Sequence, residues 1–574
     1  MQICAFVSNF RLRISDISTK IVEVKQLLLG INKNKPMKQD IQQFLWWQKG
    51  IIYQVYPRSF QDSSGDGVGD LKGIISRLDY LKWLGVTAVW LSPIYPSPMK
   101  DFGYDISDYT GIHPLFGSMN DFDELLKEVH NRGMKLILDL VPNHTSDQHP
   151  WFLESRSSRD NPKRNWYIWH DPNPDGSEPN NWLSVFGGSA WEWDKKTNQF
   201  YYHAFLKEQP DLNWRHPEVQ QAMMNVMRFW LEKGVDGFRV DVMWHMIKDD
   251  QFRNNPPNPN YEPHMATYEQ LLPVYSTDQP GVHVIVRMMR KVLDEYPERM
   301  MIGEIYLPIH KLVTYYGPDN NGANLPFNFL LISMQWVADK ISAGVAEYEA
   351  AIPAGGWPNW VLGNHDQARI ATRVGLQQAR VAAMLLLTLR GTPTVYYGDE
   401  IGMQDVAIPF NEVQDPQGLN MPDKNLSRDP ARTPMQWDAS DNAGFTKGKP
   451  WLRLERKFRR NNVEVQKQDK HSMLSLYCRL IRLRQNEPSL MIGDFTPVTT
   501  AGLNMIAYIR QAEGYDAFLI VLNLTHAPAY FRPEHIKLKG KVEIATAREL
   551  EGTEINENIS LNGDEGILVR LERK

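Results

Sequence analysis

Eight short apolar segments recur along the chain, and helical stretches separate them. Each segment is apolar almost throughout, as expected of a parallel strand that is buried on both faces. Strands that alternate with helices build parallel sheets, and eight such units favour an α/β fold of the closed (β/α)8 (TIM) barrel type over an open doubly wound sheet. The predicted strands are 51–57, 86–93, 135–144, 235–242, 300–306, 325–329, 359–366 and 393–398.

The alternation has two interruptions that predict further domains. Residues 145–215 are irregular and rich in Trp, Asn, Pro and Gly, and an irregular stretch of that length predicts a functional insertion after the third strand. From 490 to 574 alternating strands replace the helices, which predicts a C-terminal antiparallel β domain. The barrel then comprises 44–144 and 216–489. Residues 1–43 are expected to be an extension, either a disordered leader or a segment that precedes a natural start at Met37.

The composition argues against several classes of partner. The formal net charge is −5 with acidic and basic residues interspersed, so we expect neither nucleic acid nor an anionic membrane surface as a partner. No apolar run approaches the ~20 residues that span a bilayer, and the N-terminus lacks the features of a signal peptide. We therefore expect a cytoplasmic enzyme. The 18 Trp and 23 Tyr suit either the flat faces of sugars or additional core packing.

Charged and polar residues end several of the predicted strands, where a buried strand should be apolar. In barrel enzymes the carboxyl ends of the strands carry the chemistry. Each residue singly has a structural explanation, and Asp139 is interpreted as one that orders the neighbouring backbone. Together they would accumulate several kcal/mol of repulsion and desolvation without a function. The set is Asp139, Asn143, His144, Arg239, Asp241, Glu304, His365 and Asp366.

Glycoside cleavage is the chemistry that suits this set. It needs one ionised carboxylate as nucleophile and one carboxylic acid with a raised pKa as proton donor. It also needs groups that hold the sugar hydroxyls. Arg239 precedes Asp241 by two residues and so shares its strand face, which predicts that Arg239 lowers the pKa of Asp241.

Six segments resemble glycoside hydrolase family 13, the α-amylase family. DLVPNH (139–144), GFRVD (237–241), GE (303–304) and GNHD (363–366) resemble its four signature regions in order and spacing. QPDLNW (209–214) and GTPTVYYGDEIGM (391–403) resemble its branch of oligo-1,6-glucosidases and bacterial α-glucosidases. The resemblance covers about 44–574. It implies that 145–215 is the B domain over the pocket, that 404–450 shapes the entrance and that the C-terminal domain is a β-sandwich.

The resemblance implies a role for each matching residue. Asp241 would be the nucleophile, Glu304 the general acid and then the base, and Asp366 the residue that holds the 2- and 3-hydroxyls. Tyr104 would supply a stacking face, and Asp101 with Arg428 would bond the 4-hydroxyl, which makes such enzymes exo-acting. Arg432 in the same RDPARTPMQW segment is the alternative to Arg428. The implied substrate-binding residues are Asp101, Tyr104, His144, Arg239, Val242, His365 and Arg428.

The loop DSSGDGVGD (62–70) has the oxygen spacing of a cation site. Side-chain oxygens at Asp62, Ser64, Asp66 and Asp70 and the carbonyl of Val68 mimic the first part of an EF-hand loop, without the closing glutamate. A turn-rich connection is the alternative interpretation. Members of the same branch often bind Ca²⁺ here, which implies a structural ion. The retaining mechanism itself needs no cofactor.

Two features of the sequence disagree about the glycosidic bond. Val242 after the proposed nucleophile resembles members that prefer α-1,6 bonds, whereas the longer context GFRVDVMWHMIKD resembles α-glucosidases that take maltose. We expect an exo-acting retaining α-glucosidase for small α-glucosides. An oligo-1,6-glucosidase, or a transglucosylase or isomerase such as trehalose or isomaltulose synthase, is the alternative. A non-catalytic heavy-chain relative of amino-acid transporters would need a membrane helix and would have lost the carboxylates. The oligomeric state is not predicted.

Overall fold

The computed structural model describes residues 38–499, 504–533, 538–556 and 558–572. The predicted extension at 1–43 therefore lies outside the described residues except for its last six positions. Those positions pack on the C-terminal region, where Gln39 N–H donates to the carbonyl of Glu513 at 3.0 Å. None of the helices in the described ranges is long and apolar enough to cross a membrane.

Nineteen strands are present in the described ranges. They are β1 Ile52–Val55, β2 Ala88–Leu91, β3 Lys135–Leu140, β4 Trp169–His170, β5 Trp191–Asp194, β6 Gln199–Tyr202, β7 Gly237–Val240, β8 Met300–Gly303, β9 Leu325–Pro326, β10 Asn359–Val361, β11 Thr392–Tyr396, β12 Asp494–Pro497, β13 Met505–Gln511, β14 Phe518–Asn523, β15 Ala529–Phe531, β16 Lys539–Ala545, β17 Glu554–Asn556, β18 Ile559–Leu561 and β19 Gly566–Leu571.

Fifteen α-helices are present in the same ranges, along with several short 3₁₀ turns. They are α1 Trp46–Lys49, α2 Pro57–Phe60, α3 Leu71–Leu84, α4 Met119–Asn131, α5 Pro150–Ser155, α6 Pro217–Lys233, α7 Val282–Asp294, α8 Ile309–Leu312, α9 Leu330–Ser333, α10 Ala338–Ala351, α11 Ile370–Thr388, α12 Pro416–Asn420, α13 Val463–Gln468, α14 Met473–Asn486 and α15 Pro488–Met491.

Eight parallel strands form the predicted barrel. Their order in the sheet is β10-β11-β1-β2-β3-β7-β8-β9, which is the chain order taken around a circle. A parallel bridge between Asn328 and Trp360 joins the two remaining edges. The fold class predicted from the alternation is confirmed, and helices such as α3, α4, α6 and α7 follow successive strands as they should in this fold.

The ends of several helices follow from local sequence signals. Asp70 caps α3 by accepting a hydrogen bond from Gly73 N–H at 2.7 Å, and α3 ends at Gly85, which has φ 98°. Ser118 begins α4 with a capping box that includes Asp121. The positive φ at Gly85 explains why a glycine stands there.

The strands are shorter than the sequence predicts. The fifth barrel strand ends at Gly303, not at 306, and the seventh ends at Val361, not at 366. The sequence extends these strands because Glu304, Ile305 and residues 362–365 remain buried past the last ladder hydrogen bond. Asp241, Glu304 and Asp366 consequently lie just beyond the strand ends, in loops that the barrel holds.

Two antiparallel units accompany the barrel. The inserted segment contains the sheet β4-β6-β5, which packs around Trp182, Trp191 and Phe200. The C-terminal region contains a six-stranded sheet and the pair β15-β18, and both contribute to one apolar core, as in a β-sandwich. The exact domain boundaries stay a prediction.

A buried ion pair fastens the inserted segment to the barrel. The ammonium of Lys248, in the loop after β7, contacts the carboxylate of Asp211 and donates to Oδ1 of Asn143 at 2.7 Å. Asn143 Nδ2 and Ala204 N–H also donate to Asp211, each at 2.8 Å. Both charged residues are almost wholly buried, so each depends on the other for compensation.

Replacing Lys248 with Met should therefore lower stability far more than a surface charge removal does. The substitution leaves the carboxylate of Asp211 buried without its counter-charge, which typically costs about 3–5 kcal/mol. This loss should appear as a lower midpoint of thermal unfolding. Lys233→Met is the matched control, because Lys233 pairs with Asp123 at the surface, where pairs contribute about 0–1 kcal/mol. Equal midpoints for the two variants would contradict this account.

Candidate active site

Arg239 lies among three carboxyl groups at the carboxyl end of the barrel. It stands on β7 opposite Asp139 of β3 in the parallel register and is fully buried. Its Nη1 lies 2.9 Å from Oδ1 of Asp139 and 2.7 Å from Oδ1 of Asp241. Its Nη2 lies 2.7 Å from Oε2 of Glu304. One positive charge thus faces three acids, so the group cannot hold all three as anions without large repulsion.

A strained backbone position orients Glu304. Val242 has φ 35° and ψ 46°, in the left-handed region that β-branched residues rarely adopt. This conformation directs the N–H of Val242 to Oε2 of Glu304 at 2.9 Å. The carboxyl groups of Glu304 and Asp241 each lie 2.7 Å from the guanidinium of Arg239, so the two acids stand side by side.

Burial and charge shift the pKa values of these acids. Burial raises the pKa of Asp241 well above its ordinary value, with Arg239 opposing it and Glu304 adding to it. Burial likewise raises the pKa of Glu304 against the charge of Arg239, and raises the pKa of Asp139 to about 7. Arg239 lowers the pKa of Asp241, as the sequence predicted, but burial outweighs it.

Two arginines hold the fourth carboxyl group. Asp366 Oδ1 lies 3.1 Å from Nη1 of Arg428 and 2.8 Å from Nη2 of Arg432. Burial would raise the pKa of Asp366, but His365, Arg428 and Arg432 outweigh it and hold the pKa well below its ordinary value. Asp366 is therefore an anion, and its side chain is 22% exposed, more than those of Asp241 and Glu304.

Arg428 also closes one side of the site. Its Nη2 lies 2.7 Å from Oδ1 of Asp101 and 2.6 Å from Oδ1 of Asp415. Nε2 of Gln209 donates to Oδ2 of Asp101 at 3.2 Å. We call the group Asp101, Gln209, Asp415 and Arg428 the pocket wall.

His365 and Tyr104 form a stacked, hydrogen-bonded pair beside the acids. Their rings are 5.3 Å apart with an interplanar angle of 5°, and the Tyr104 hydroxyl lies 2.6 Å from His365 Nε2. Gln54 Nε2 lies 2.8 Å from His365 Nδ1. Since an amide nitrogen only donates, Nδ1 accepts and the ring proton is on Nε2. Burial lowers the pKa of His365 well below its ordinary value, so this neutral form holds.

His144 lies at the junction of the barrel and the inserted segment. Asn143 Nδ2 lies 3.1 Å from its Nδ1, and its Nε2 lies 3.2 Å from the carbonyl of Tyr104. The ring of Phe205 is 5.2 Å away. Burial lowers the pKa of His144 to about 4, so its ring is neutral. The structure thus brings all the predicted catalytic and substrate-binding residues into one region.

The prediction for Asp139 was wrong in its detail. Its carboxylate accepts from Arg239 at 2.9 Å, from Trp90 Nε1 at 3.2 Å and from the Tyr104 hydroxyl at 3.1 Å. It therefore orders side chains of the site, not the neighbouring backbone. The sequence could not reveal this, because the partners come from three different strands and loops.

Four further residues of the site were missed or left open by the sequence. Arg432 contacts Asp366 as Arg428 does, but only Arg428 reaches Asp101. Gln209 lies in the recognised QPDLNW segment, which was a usable signal, whereas Gln54 and Asp415 had none. The residues are Gln54, Gln209, Asp415 and Arg432.

An exposed aromatic ring stands beside the acids. Tyr306 follows Glu304 by two residues and is 37% exposed. It stacks on Phe329 with ring centres 4.0 Å apart and an interplanar angle of 7°, and Trp244 lies 5.6 Å away. A flat ring held in this way suits the apolar face of a sugar.

The predicted cation loop is held by its own hydrogen bonds. Asp62 accepts the N–H groups of Ser64, Gly65 and Gly67, each at 2.8 Å, and Asp66 accepts from Val68 N–H at 2.8 Å. Burial would raise the pKa of Asp62, but Thr446 and the loop N–H groups outweigh it and lower the pKa.

Two carboxylates of this loop meet at the N–H of Ser64, which lies 2.8 Å from Oδ1 of Asp62 and 3.2 Å from Oδ2 of Asp70. Asp70 caps α3 and accepts from the hydroxyl of Ser63 at 2.8 Å. In the described ranges no group of three or more His, Cys, Asp or Glu side chains could hold a metal ion. These hydrogen bonds describe a turn-rich connection, and the structure does not confirm the structural Ca²⁺ predicted from the sequence.

Comparison with known families agrees with this geometry. The model of the α-amylase catalytic domain matches residues 54–493, which span all the acids described above. The chain belongs to the α-amylase family.

Close relatives cover nearly the whole chain. An α-glucosidase of Apis mellifera is 41% identical over 86% of this chain and 87% of its own length. An oligo-1,6-glucosidase of Parageobacillus thermoglucosidasius is 39% identical over 90% and 97%. Among solved structures, the α-glucosyl transfer enzyme XgtA is 38% identical with a TM-score of 0.87, covering 92% of this chain and all of its own. This α-amylase-family chain is therefore similar to hydrolases and to a transferase.

Proposed function

We propose that this protein is a retaining, exo-acting α-glucosidase that removes the terminal glucose of short α-glucosides. The observation that carries the proposal is the single guanidinium of Arg239 among Asp139, Asp241 and Glu304, next to an anionic Asp366. A retaining glycosidase needs one anionic and one protonated carboxyl group at one bond. The names of the α-glucosidase and oligo-1,6-glucosidase relatives support the same reaction.

Asp241 is the proposed nucleophile: of the two acids whose pKa is raised, it is the one proposed to be ionised, with the proton on Glu304. Its Oδ1 receives a hydrogen bond from Arg239 at 2.7 Å, which holds one oxygen and leaves the other to attack the anomeric carbon. Negative charge moves from the carboxylate of Asp241 to the leaving oxygen during this step. If Arg239 stabilised the Asp241 anion too strongly, it would therefore slow the attack. The two further acids around Arg239 share its charge and moderate that effect.

Glu304 is the proposed proton donor to the leaving oxygen. Burial, with the charge of Asp366 adding to it, raises the pKa of Glu304, which keeps the proton on until the glycosidic oxygen takes it. After the aglycone leaves, the same carboxylate accepts a proton from water as the glucosyl–Asp241 ester breaks. The N–H of Val242 donates to Oε2, so this side chain keeps one orientation through both steps.

Asp366 and the pocket wall are proposed to hold the glucose. An anionic Asp366 accepts hydrogen bonds from the 2- and 3-hydroxyls, which strengthen as the ring flattens toward the transition state. The pocket wall accepts and donates at the 4-hydroxyl and blocks a chain that extends beyond it. Tyr104, His144 and His365 line the remaining sides. The chemistry needs no metal, and a structural Ca²⁺ at 62–70 stays a prediction from the sequence.

Transfer of the glucosyl group to a sugar is the second candidate. Tyr306, stacked on Phe329 beside Glu304, offers a face on the side where the aglycone leaves. A sugar retained there competes with water for the glucosyl group. The name of the transfer enzyme XgtA, at 38% identity, is consistent with such an outcome.

Asp241→Asn should remove turnover of p-nitrophenyl α-glucoside by at least several hundred-fold, because an amide cannot form the glucosyl ester. The fold should survive, since the amide still accepts from Arg239. Circular dichroism and the thermal midpoint are the controls for folding. The wild-type protein should release α-glucose as the first anomer, followed by NMR; release of β-glucose would overturn retention.

The fall of kcat/KM on the basic side of its pH profile, the basic limb, should follow the loss of the proton from Glu304. Activity requires protonated Glu304, so it is present below the raised pKa and falls as pH rises through it. Asp139→Asn removes a negative charge that raises these coupled pKa values and should move the limb to lower pH. Asp123→Asn, at the surface, should leave the limb in place. A limb that stays or moves upward in Asp139→Asn would contradict the assignment.

A substrate panel shows which glycosidic bond the protein cleaves and whether water or a sugar accepts the glucose. The panel contains maltose, isomaltose, trehalose and sucrose. We expect maltose to give the highest kcat/KM and free glucose to be the main product. A preference for isomaltose would make the protein an oligo-1,6-glucosidase. Sucrose converted mainly to isomeric disaccharides would identify an isomerase.

A further inference from the structure

A second cavity lies between the inserted segment and the helix α12. It has a volume of about 510 Å³, which is within the range of small-molecule sites, about 300–1,000 Å³. Ser184 and Ser189 line it from the inserted segment, and Pro416, Leu419 and Asn420 line it from α12. Sites of this kind occur preferentially where separate structural units meet.

The cavity adjoins the pocket wall. Three of the four wall residues have an immediate chain neighbour that lines the cavity. None of the wall residues themselves lines it, and neither do the proposed catalytic acids Asp241, Glu304 and Asp366. The neighbouring pairs are Asp101 with Lys100, Gln209 with Glu208, and Asp415 with Pro416.

The lining suits a neutral ligand with many hydroxyl groups. Two lysines and three glutamates nearly balance in charge, so neither an anion nor a cation is favoured. The serine hydroxyls and Asn420 offer both donors and acceptors. Trp191 and Phe205 add apolar ring surface, the usual complement of a sugar face. The charged lining residues are Lys100, Lys207, Glu178, Glu192 and Glu208.

We propose that this cavity is a second saccharide site, separate from the glucose pocket and divided from it by the pocket wall. Phe205 connects the two, because it lines the cavity and its ring packs 5.2 Å from His144 and 5.4 Å from His245. The site itself does not depend on the proposed chemistry, but the choice of maltose as probe rests on the proposed function.

Equilibrium dialysis with radiolabelled maltose counts the sites directly. The Glu304→Gln variant keeps the probe intact and provides the background. Leu419→Trp and Ser189→Trp fill the cavity from opposite sides, so one serves if the other fails to fold. Leu153→Trp is the matched control, because Leu153 is 49% exposed, Leu419 is 47% exposed, and Leu153 does not line the cavity. Turnover by the tryptophan variants with Glu304 restored reports whether the glucose pocket is intact.

We expect two moles of maltose per mole of protein in the background and in the Leu153→Trp control, falling to one in either filled variant. One mole in all variants would overturn the second site and leave the proposed function standing. One mole in the background that falls to none on filling would support the cavity and overturn the glucose pocket. No binding in any variant would overturn both.

Discussion

The structure of the site depends on one buried guanidinium with too many acids around it. Arg239 contacts Asp139, Asp241 and Glu304, and all four residues are buried. Burying one ion pair there would give a stable, inert salt bridge. Burying three acids on one arginine leaves a proton that belongs to the group and not to one residue. The excess of acid over base is thus what makes the group capable of proton transfer.

The barrel explains why such a group can be held at all. Arg239 and Asp139 are register partners on adjacent strands, and the loops that carry Asp241 and Glu304 leave from strands with fixed neighbours. The strain at Val242, about 1–3 kcal/mol for such a conformation, is tolerated because Glu304 accepts its N–H and the surrounding core holds the turn. A polar network this dense would be destabilising in a less rigid frame.

The sequence predicted the barrel and the acids, because alternating strands and strand-end charges are local signals. It could not predict that the strands end before Asp241 and Glu304, since burial makes loop and strand residues equally apolar. It also could not separate Arg428 from Arg432, four residues apart, because the distinction is the distance to Asp101 on another loop. In the cation loop the spacing of oxygens in 62–70 predicts an ion, whereas the structure shows Asp62 and Asp70 accepting backbone N–H groups, and the ion stays a prediction.

The side of the site closed by Arg428 is held more tightly than the open side at Tyr306, and this difference affects specificity. On one side Arg428 is fixed by two carboxylates, Asp101 and Asp415, in addition to Asp366. Displacing Arg428 would leave three carboxylates without this counter-charge, so the pocket wall is rigid. In the proposed function, the wall therefore limits how far the sugar extends on that side. On the other side Tyr306 stacks on Phe329 and is 37% exposed, so it offers a face for a sugar without fixing the linkage. A single methyl-sized difference in such a region changes selectivity by only about 1–3 kcal/mol. Under the proposed function, the bond that is cut, and whether water or sugar accepts the glucose, are therefore set on the side of Tyr306, where Val242 is one influence among several.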